Sequence, residues 1–309
     1  MTDGAAPRVI AVVVTFNRLA LLQDLVVRLG EVIIREDRLV EVIVVDNAST
    51  DGTTDWLAQH APSYVVPRAL PDNRGGAGGF SEGLELAMER GADLAWLMDD
   101  DSLPDPSCLS RLLEHEGLDF WGPVVVDRER EDRLVFPIRL PGGARVVHDL
   151  ADVTAAATGG LIRDVVIPFN GVLVTRDLYD RIGTVRGDYF IWGDDHEYRL
   201  RAEQAGARIA TVVDARVLHP SVGELGTPMM GGRTTYNHTP SELKAYCLGR
   251  NNLLNLKTYK GWPHALAFVA KTVWFYTFTK RDPKRLRLML GAMRDGLRGD
   301  FTGHRRYLG

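Results

Sequence analysis

The chain has 309 residues, of which 45% are hydrophobic and 25% charged, a composition that indicates a folded globular protein and excludes a fibrous or largely disordered one. The net charge of -4 conceals an asymmetry, because residues 257–309 carry 12 Lys and Arg against 3 Asp and Glu. A basic C-terminal segment on an acidic body favours an anionic partner such as lipid headgroups or polyprenyl phosphates. No nucleic-acid-binding motif accompanies it, so we expect no nucleic-acid partner.

The cysteines and the N-terminus indicate the compartment. Cys108 and Cys247 are far apart in sequence and lack metal-ligand spacing, so no disulfide framework is expected. Residues 1–8 are polar and lead directly into an apolar run, without a signal-peptide pattern. We therefore expect a cytoplasmic protein.

The first hundred residues alternate between strand and helix patterns. The predicted strands are residues 9–15, 41–45, 63–67 and 93–98. The predicted helices are residues 20–30, a short segment containing Trp56 and Leu57 capped by Ser49 or Thr50, and residues 79–90. This alternation predicts an α/β fold with a doubly wound, mostly parallel sheet, in which ligands bind beyond the carboxyl ends of the strands.

The pattern changes after Pro123. We predict, in order, a hairpin over residues 134–147, an irregular Ala/Thr-rich stretch, a strand over 169–174, a helix over 194–206, a strand over 208–218, a mobile segment over 221–241 and helices from Glu242 onward.

Three consecutive carboxylates, Asp99, Asp100 and Asp101, directly follow the apolar strand that ends Trp96-Leu97-Met98. Because adjacent negative charges repel, a hard divalent cation such as Mn²⁺ or Mg²⁺ is the simplest way to stabilise them. Side chains alternate along a strand, so Asp99 and Asp101 are assigned to the cation and its nucleotide, and Asp100 is left open. The alternative interpretation is a solvated acidic turn.

Two more segments could bind a ligand or act on it. The glycine run over residues 73–79 precedes a helix, where backbone N–H groups can approach phosphate oxygens, although a flexible turn is the alternative. The segment Trp192-Gly193-Asp194-Asp195 opens another helix, whose dipole keeps a carboxylate ionised as a general base requires. Trp192 would form a flat apolar surface against which a sugar ring could pack. The alternative interpretation of the whole segment is an ordinary acidic first turn of a helix.

His219 ends a predicted strand just before a proline. It is interpreted either as a third metal ligand or as a structural hydrogen-bonding residue. Residues 262–279 are apolar and aromatic, with Lys271 near their middle and a basic cluster after them. The run is short for a membrane span and contains a charge, so it fits an interfacial helix or a core helix better.

Taken together, these motifs resemble the family 2 nucleotide-sugar glycosyltransferases of the GT-A fold. Within that family the chain is most similar to bacterial galactofuranosyltransferases that initiate galactan synthesis, with rhamnosyltransferases close behind. The motifs that carry the resemblance are Val-Val-Thr-Phe-Asn-Arg (13–18), Val-Val-Asp-Asn-Ala-Ser-Thr-Asp-Gly (44–52), Asn-Arg-Gly-Gly-Ala-Gly-Gly-Phe (73–80), Trp-Leu-Met-Asp-Asp-Asp (96–101), Gly-Asp-Asp-His-Glu (193–197) and Leu-His-Pro (218–220).

The resemblance implies roles for individual residues. The nucleotide-sugar site would include Thr15, Phe16, Asn17, Arg18, Asp46, Asn47, Asn73, Gly75, Gly76, Asp99 and Asp100. The metal would be held by Asp99, Asp101 and His219, and the acceptor would contact Trp192, Asp194 and Arg250. Asp195 matches the catalytic carboxylate; because the family often has glutamate at the position of Asp194, either aspartate could be the base.

The resemblance also implies a domain order and a reaction. A GT-A catalytic domain over residues 1–241, with a nucleotide-sugar half (about 1–122) and an acceptor half (about 123–241), would precede a helical, basic region over 242–309. The reaction would be inverting, metal-dependent transfer of galactofuranose onto a polyprenyl diphosphate-linked saccharide, by an enzyme peripheral on the inner face of the cell membrane. The alternatives are a dTDP-rhamnose-dependent transferase, a soluble natural-product glycosyltransferase, an inactive scaffold and a nucleotidyltransferase. The sequence does not determine the oligomeric state, and a homo-oligomer is one possibility.

Overall fold

The computed structural model describes residues 6–143, 145–167, 169–223 and 226–308. The chain forms two compact units. The first comprises Met1–Val185 and Ala202–Ser221, and the second comprises Arg186–Arg201 and Val222–Gly309. The functional division predicted at residue 241 stays a prediction.

The first unit is built on one large mixed sheet. Its strands are β1 (Val9–Thr15), β2 (Leu39–Asp46), β3 (Val65–Ala69), β4 (Leu94–Asp99), β5 (Leu103–Pro104), β6 (Phe120–Asp127), β7 (Arg133–Arg139), β8 (Val146–Asp149), β9 (Leu161–Arg163), β10 (Asn170–Thr175) and β11 (Ile209–His219). Its helices are α1 (Leu19–Arg35), α2 (Thr53–His60), α3 (Gly75–Glu89), α4 (Cys108–Leu113), α5 (Leu150–Ala156) and α6 (Arg176–Ile182).

The main path of the sheet runs β3-β2-β1-β4-β10-β6-β11-β5. Strands β1 to β4 pair in parallel, whereas β10 is antiparallel to both β4 and β6. Every residue of β1 is buried, as its continuous run of apolar and β-branched residues predicts for a central strand covered on both faces. The predicted α/β fold with a mostly parallel, doubly wound sheet is confirmed.

Several element boundaries differ from the predictions by a few residues, and three differences change the interpretation of a segment. Helix α3 begins at Gly75 instead of residue 79, so the glycine run forms its first turns. Helix α2 is preceded by Gly52 in the left-handed region, and neither Ser49 nor Thr50 caps it. The Ala/Thr-rich stretch expected to be irregular contains α5, which buries Val153.

The second unit is mainly helical. Its elements are α7, which begins here (Asp194–Gln204), β12 (Thr227–Met229), β13 (Thr234–Tyr236), α8 (Glu242–Asn255), α9 (Trp262–Trp274) and α10 (Pro283–Leu297). Short π-helical turns at Leu256–Lys260 and Phe275–Thr279 extend α8 and α9. The segment expected to be mobile contains the β12–β13 hairpin, and residues 224 and 225 within it lie outside the described residues.

The hairpin is attached to α9 through Tyr236. Its ring stacks on Phe275 with centroids 4.4 Å apart, and its hydroxyl lies 2.9 Å from the Thr272 hydroxyl.

Within the part of the chain that the structure describes, no helix has the length and apolarity needed to cross a bilayer.

Candidate active site

The loops after β1, β2 and β3 in the first unit are joined by two asparagines. Asn17 accepts a hydrogen bond from the Thr50 backbone N–H at 2.7 Å, and its own N–H donates to Ser49 Oγ at 2.9 Å. Asn47 accepts from the Arg74 N–H and donates to the Gly75 carbonyl, both at 2.8 Å. These predicted site residues therefore hold the loops against one another at the edge of the sheet.

Asp100, which the sequence left open, is an internal anchor between two loops. Its carboxylate is 3% exposed and accepts hydrogen bonds from Thr15 Oγ1 at 2.8 Å and Arg18 Nη1 at 3.0 Å. Burial raises the pKa of Asp100, and this effect exceeds the opposing effect of the Arg18 guanidinium. Arg18, which is half exposed, also donates to Asp101 at 2.8 Å.

Asp101 and His219 form a pair that suits a divalent cation. His219 Nδ1–H donates to the Pro220 carbonyl oxygen at 2.7 Å, which leaves Nε2 with its lone pair in the neutral ring. Nε2 lies 3.2 Å from Asp101 Oδ1, a buried oxygen without a hydrogen-bond donor. Two electron-pair donors at this separation need a proton or a metal ion between them. An imidazole nitrogen and a carboxylate oxygen fit Mn²⁺ and, less closely, Mg²⁺.

Asp99 does not complete a three-residue ligand set here. Among the described residues no group of three or more His, Cys, Asp or Glu side chains is arranged to hold a metal ion. Strand β4 ends at Asp99, and the Ser102 N–H donates to the Asp99 carbonyl at 3.1 Å, which closes a turn. The predicted alternation of Asp99 and Asp101 on one face assumed that the strand continued, and the turn ends it.

The remaining donor-site predictions divide into internal and accessible residues. Asp46 is fully buried, with one carboxylate oxygen accepting from the Ser49 N–H at 2.9 Å and the other from the Thr54 hydroxyl. Asn73 accepts from the Gly75 N–H at 2.8 Å. Phe16 is 41% exposed, and a Cβ built on Gly76 would meet no atom within 4 Å. Phe16 and Gly76 therefore offer open surface to a ligand.

In the second unit the segment before α7 has an unusual backbone. Phe190, Trp192 and Gly193 all have positive φ, at 67°, 63° and 96°. The first two are bulky residues that rarely adopt this region, so surrounding structure must hold them. Helix α7 then begins at Asp194.

Helix α8 supplies the groups that hold this segment. Asn251 Nδ2 donates to the Trp192 carbonyl at 2.7 Å and to the Ile191 carbonyl at 3.2 Å, and Asn255 Nδ2 donates to the Gly193 carbonyl at 2.8 Å. Both asparagines are fully buried. They determine the direction in which Asp194 and Asp195 leave the loop.

Arg250 requires a correction. It was predicted to contact the acceptor, but its side chain is fully buried and donates to the Tyr189 carbonyl at 2.7 Å and the Phe301 carbonyl at 3.0 Å. A guanidinium whose hydrogen atoms are directed at backbone carbonyls inside the protein does not meet a ligand. Arg250 instead supports the segment that leads to Trp192.

The carboxylates of α7 lie in different environments. Burial, followed by the neighbouring charge of Asp195, raises the pKa of Asp194, whose side chain is 6% exposed. Glu197 is also buried, but it accepts from the Tyr259 hydroxyl at 2.6 Å and from Arg201 at 2.9 Å. Asp195 accepts from the His196 N–H at 2.6 Å.

The roles of Asn251, Asn255 and Glu197 were not predicted from the sequence. Glu197 belongs to a motif already quoted, and its spacing from Asp194 by nearly one helical turn was the available signal. The asparagines at 251, 252 and 255 in one helical stretch were a second signal, because Asn is a weak helix former whose side chain often bonds to backbone groups.

Comparison with known proteins identifies the family. Residues 10–132 match the model of Glycosyl transferase family 2. The chain is 30% identical to "Galactofuranosyltransferase GlfT1" of Mycolicibacterium smegmatis, over 95% of this chain and 97% of that one. The chain belongs to glycosyl transferase family 2.

Two further matches concern the sequence and the fold, respectively. "dTDP-rhamnosyl transferase RfbF" of Shigella flexneri is 25% identical over 96% of this chain and 97% of that one. The crystal structure of GalNAc-T7 with UDP, GalNAc and Mn²⁺ superposes with a TM-score of 0.58 at 13% identity, over 94% of this chain and 55% of that one. The chain of 309 residues therefore has the predicted GT-A fold and, as a member of family 2, is a glycosyltransferase.

Proposed function

We propose that the enzyme transfers galactofuranose from UDP-galactofuranose to a polyprenyl diphosphate-linked saccharide, with inversion at the anomeric carbon. The observation that carries this proposal is the similarity to GlfT1, a protein named as a galactofuranosyltransferase, along nearly the whole of both chains. Rhamnosyl transfer from dTDP-rhamnose is the second candidate, which the similarity to RfbF supports at lower identity.

The donor is assigned to the first unit. The accessible Phe16 and Gly76 border the loops that Asn17 and Asn47 hold in place, and these loops would receive the nucleoside and the diphosphate. Asp101 and His219 would hold Mn²⁺ or Mg²⁺ there. When bound, the cation supplies positive charge opposite the diphosphate as it leaves.

Deprotonation of the acceptor is assigned to Asp195. Its carboxylate would take the proton from the acceptor hydroxyl as that oxygen bonds to the anomeric carbon, and the bond from that carbon to the diphosphate oxygen breaks on the opposite face. Trp192 would offer its ring to the acceptor sugar. The buried Asp194 is the less suitable base, because its raised pKa favours the protonated form.

A membrane-bound acceptor is supported by the exposed face of α9 and the turn after it. Trp262, Leu266, Trp274 and Phe278 are 50%, 59%, 42% and 60% exposed and recur at helical spacing. Large exposed apolar residues in a row, followed by a basic cluster at residues 280–287, are typical of a helix that lies in the interface of an anionic membrane.

A donor screen tests the proposal. UDP and dTDP release is measured from a panel of sugar nucleotides with a lipid-linked disaccharide acceptor. We expect turnover with UDP-galactofuranose and at least tenfold less with dTDP-rhamnose. The reverse order would establish the rhamnosyl alternative, release of inorganic diphosphate would indicate a nucleotidyltransferase, and UDP binding without turnover would indicate an inactive scaffold.

Substitution of the base separates chemistry from binding. In Asp195→Asn the carboxylate is replaced by an amide that cannot take the proton, so we expect transfer to fall by 10² or more while the UDP dissociation constant stays within about twofold. Asp188→Asn, which changes an aspartate outside the proposed site, is the control. Transfer within a few-fold of wild type in Asp195→Asn would assign the base elsewhere.

Substitution of the metal pair gives an independent prediction. We expect Asp101→Asn to abolish the strengthening of UDP binding by Mn²⁺ and His219→Ala to reduce it about tenfold or more, because each removes one of the two ligands. Titration calorimetry with UDP, with and without Mn²⁺, measures both. A Mn²⁺ effect equal to that of wild type in Asp101→Asn would exclude the pair as the metal site.

A further inference from the structure

The second unit contains a cavity away from the proposed catalytic and donor-binding residues. None of those residues lines it. Its volume is about 200 Å³. Hairpin residues and the facing sides of α8 and α9 line it, including Thr235, Tyr236, Asn237, Asn252, Phe268 and Lys271.

Three polar side chains of this cavity have no partner within the described part of the chain. Those of Lys271, Asn237 and Asn252 form no hydrogen bond and no ion pair there, whereas the Tyr236 hydroxyl is paired with Thr272. The described residues that line the cavity include no carboxylate. An ammonium and two amides that can donate hydrogen bonds, with a Tyr236 and Phe268 wall beside them, would bind an anionic group attached to an apolar one.

The position of Lys271 narrows the choice of anion. It is a partly buried cation in the last turn of α9, a helix that also exposes the apolar residues Leu266 and Trp274. A long lysine stem can pass along apolar surface and place its ammonium at the boundary between lipid and water, where lipid phosphates lie.

We propose that this cavity binds the phosphate of the prenyl-linked acceptor, with Lys271 as the cation that pairs with it and the prenyl chain on the exposed face of α9. This inference depends on the proposed function, because it assigns a site to the lipid-phosphate part of the same acceptor. An anionic phospholipid headgroup carries the same phosphate chemistry, so the experiment has to separate these two sources.

The test uses the full-length enzyme and two acceptors that carry the same disaccharide, one on a polyprenyl diphosphate and one on a neutral alkyl chain. We expect Lys271→Met to raise KM for the phosphate-bearing acceptor about tenfold or more, since a charge-assisted contact is lost. KM for the neutral acceptor and the dissociation constant of UDP should stay within about twofold. Lys271→Arg should recover most of the affinity, and Arg35→Met, which removes an exposed cation at the end of α1, is the control.

Asn237→Ala, at the exposed rim of the cavity, provides a second variant with little risk to folding, and we expect a KM effect in the same direction. An unchanged KM in both variants, or an equal rise for both acceptors, would overturn the assignment. Flotation with phosphatidylglycerol and with phosphatidylcholine vesicles measures whether Lys271 contributes to binding of anionic lipid headgroups. Loss of phosphatidylglycerol binding in Lys271→Met without a change in acceptor KM would assign the cavity to headgroups and would also overturn it. If wild-type enzyme used neither acceptor, the proposed function would fail independently of this site.

Discussion

Buried charges in this enzyme differ in what compensates them. Arg250 donates to two backbone carbonyls, and Glu197 accepts from Tyr259 and Arg201. Among the described residues no cation is paired with Asp194, and burial followed by the neighbouring charge of Asp195 raises its pKa. A buried charge with a compensating partner stabilises local structure, whereas a carboxylate whose pKa is raised makes stability depend on pH.

The pH dependence of stability at Asp194 has a definite sign. Because its native pKa lies above the ordinary value of 3.8, the folded state binds the proton more tightly, and stability falls as pH rises from about 3.8 through the raised native pKa. We expect Asp194→Asn to raise the apparent Tm at pH 8 by about 2–4 °C, the effect of roughly 1 kcal/mol in a domain of this size. The difference should shrink at pH 4.

Thermal unfolding at both pH values checks this prediction. Asp55→Asn, which removes an exposed carboxylate on α2, is the control and should show no comparable pH dependence. A Tm difference between wild type and Asp194→Asn that is the same at pH 4 and pH 8 would contradict the account of Asp194.

At the scale of elements, glycines allow α3 to approach β1 closely. A Cβ on Gly83 would lie 2.3 Å from Val12 Cγ1, and one on Gly79 would lie 2.5 Å from Val14 Cγ1. The two glycines are four residues apart and therefore lie on one face of the helix. The glycine run thus serves helix–sheet packing at its later positions and leaves Gly76 open to a ligand.

Two alanine substitutions distinguish these roles. We expect Gly83→Ala to destabilise the protein by about 1–3 kcal/mol, because the β-branched Val12 cannot move away without a backbone shift. Gly76→Ala should leave stability unchanged or raise it by up to about 1 kcal/mol, because alanine is the better helix former. Urea unfolding of both variants is the measurement, and equal stabilities would contradict the close approach.

The amides of α8 provide a second prediction at this scale. Asn251→Asp keeps an oxygen that can accept from Arg250 Nε, which lies 2.8 Å from Asn251 Oδ1, but it places a carboxylate against the carbonyls of Ile191 and Trp192. We expect kcat to fall about 10–100-fold, corresponding to roughly 1–3 kcal/mol for the lost hydrogen bonds, with UDP affinity unchanged.

Steady-state kinetics and UDP titration, with Tm as a check on folding, measure the effect of Asn251→Asp. Gln204→Glu makes the same amide-to-carboxylate change at an exposed position near the end of α7 and is the matched control. A parallel loss of UDP affinity and kcat would show a global effect on folding instead of a local effect on the Trp192–Asp195 segment.

At the scale of the whole molecule, charge and exposed apolar surface concentrate in the same C-terminal region. Residues 257–309 carry the excess of basic residues, and α9 with the turn after it exposes the apolar row that includes Trp274 and Phe278. Membrane binding would combine the apolar contribution with an electrostatic one that salt weakens.

A double substitution tests the apolar part. We expect Trp274→Ser/Phe278→Ser to reduce flotation with anionic vesicles about tenfold or more without changing UDP affinity, because two large side chains no longer enter the interface. Ile34→Ser, which removes an apolar side chain that is 87% exposed on α1, is the control and should float like wild type. Equal flotation of wild type and the double variant would show that Trp274 and Phe278 do not contribute to membrane binding.

The sequence by itself determined the α/β alternation, the sheet that carries β1, β2 and β4, and the residue types of the loops after β1, β2 and β3. The spacing of hydrophobic residues along the chain indicates helix or strand locally. These predictions therefore needed no knowledge of contacts between distant segments. The family motifs led to Asp101 and His219 in the same way.

Only the tertiary structure decided which of those residues meet. A turn after β4 ends the strand alternation by which Asp99 and Asp101 were grouped, a contact between α8 and the Trp192 segment buries Arg250, and two asparagines some 60 residues away hold the backbone before Asp195. Each outcome depends on one hydrogen bond or turn between segments distant in sequence. The local pattern of apolar and polar residues carries no information about such pairings, because many positions of the same residue type are equally compatible with it.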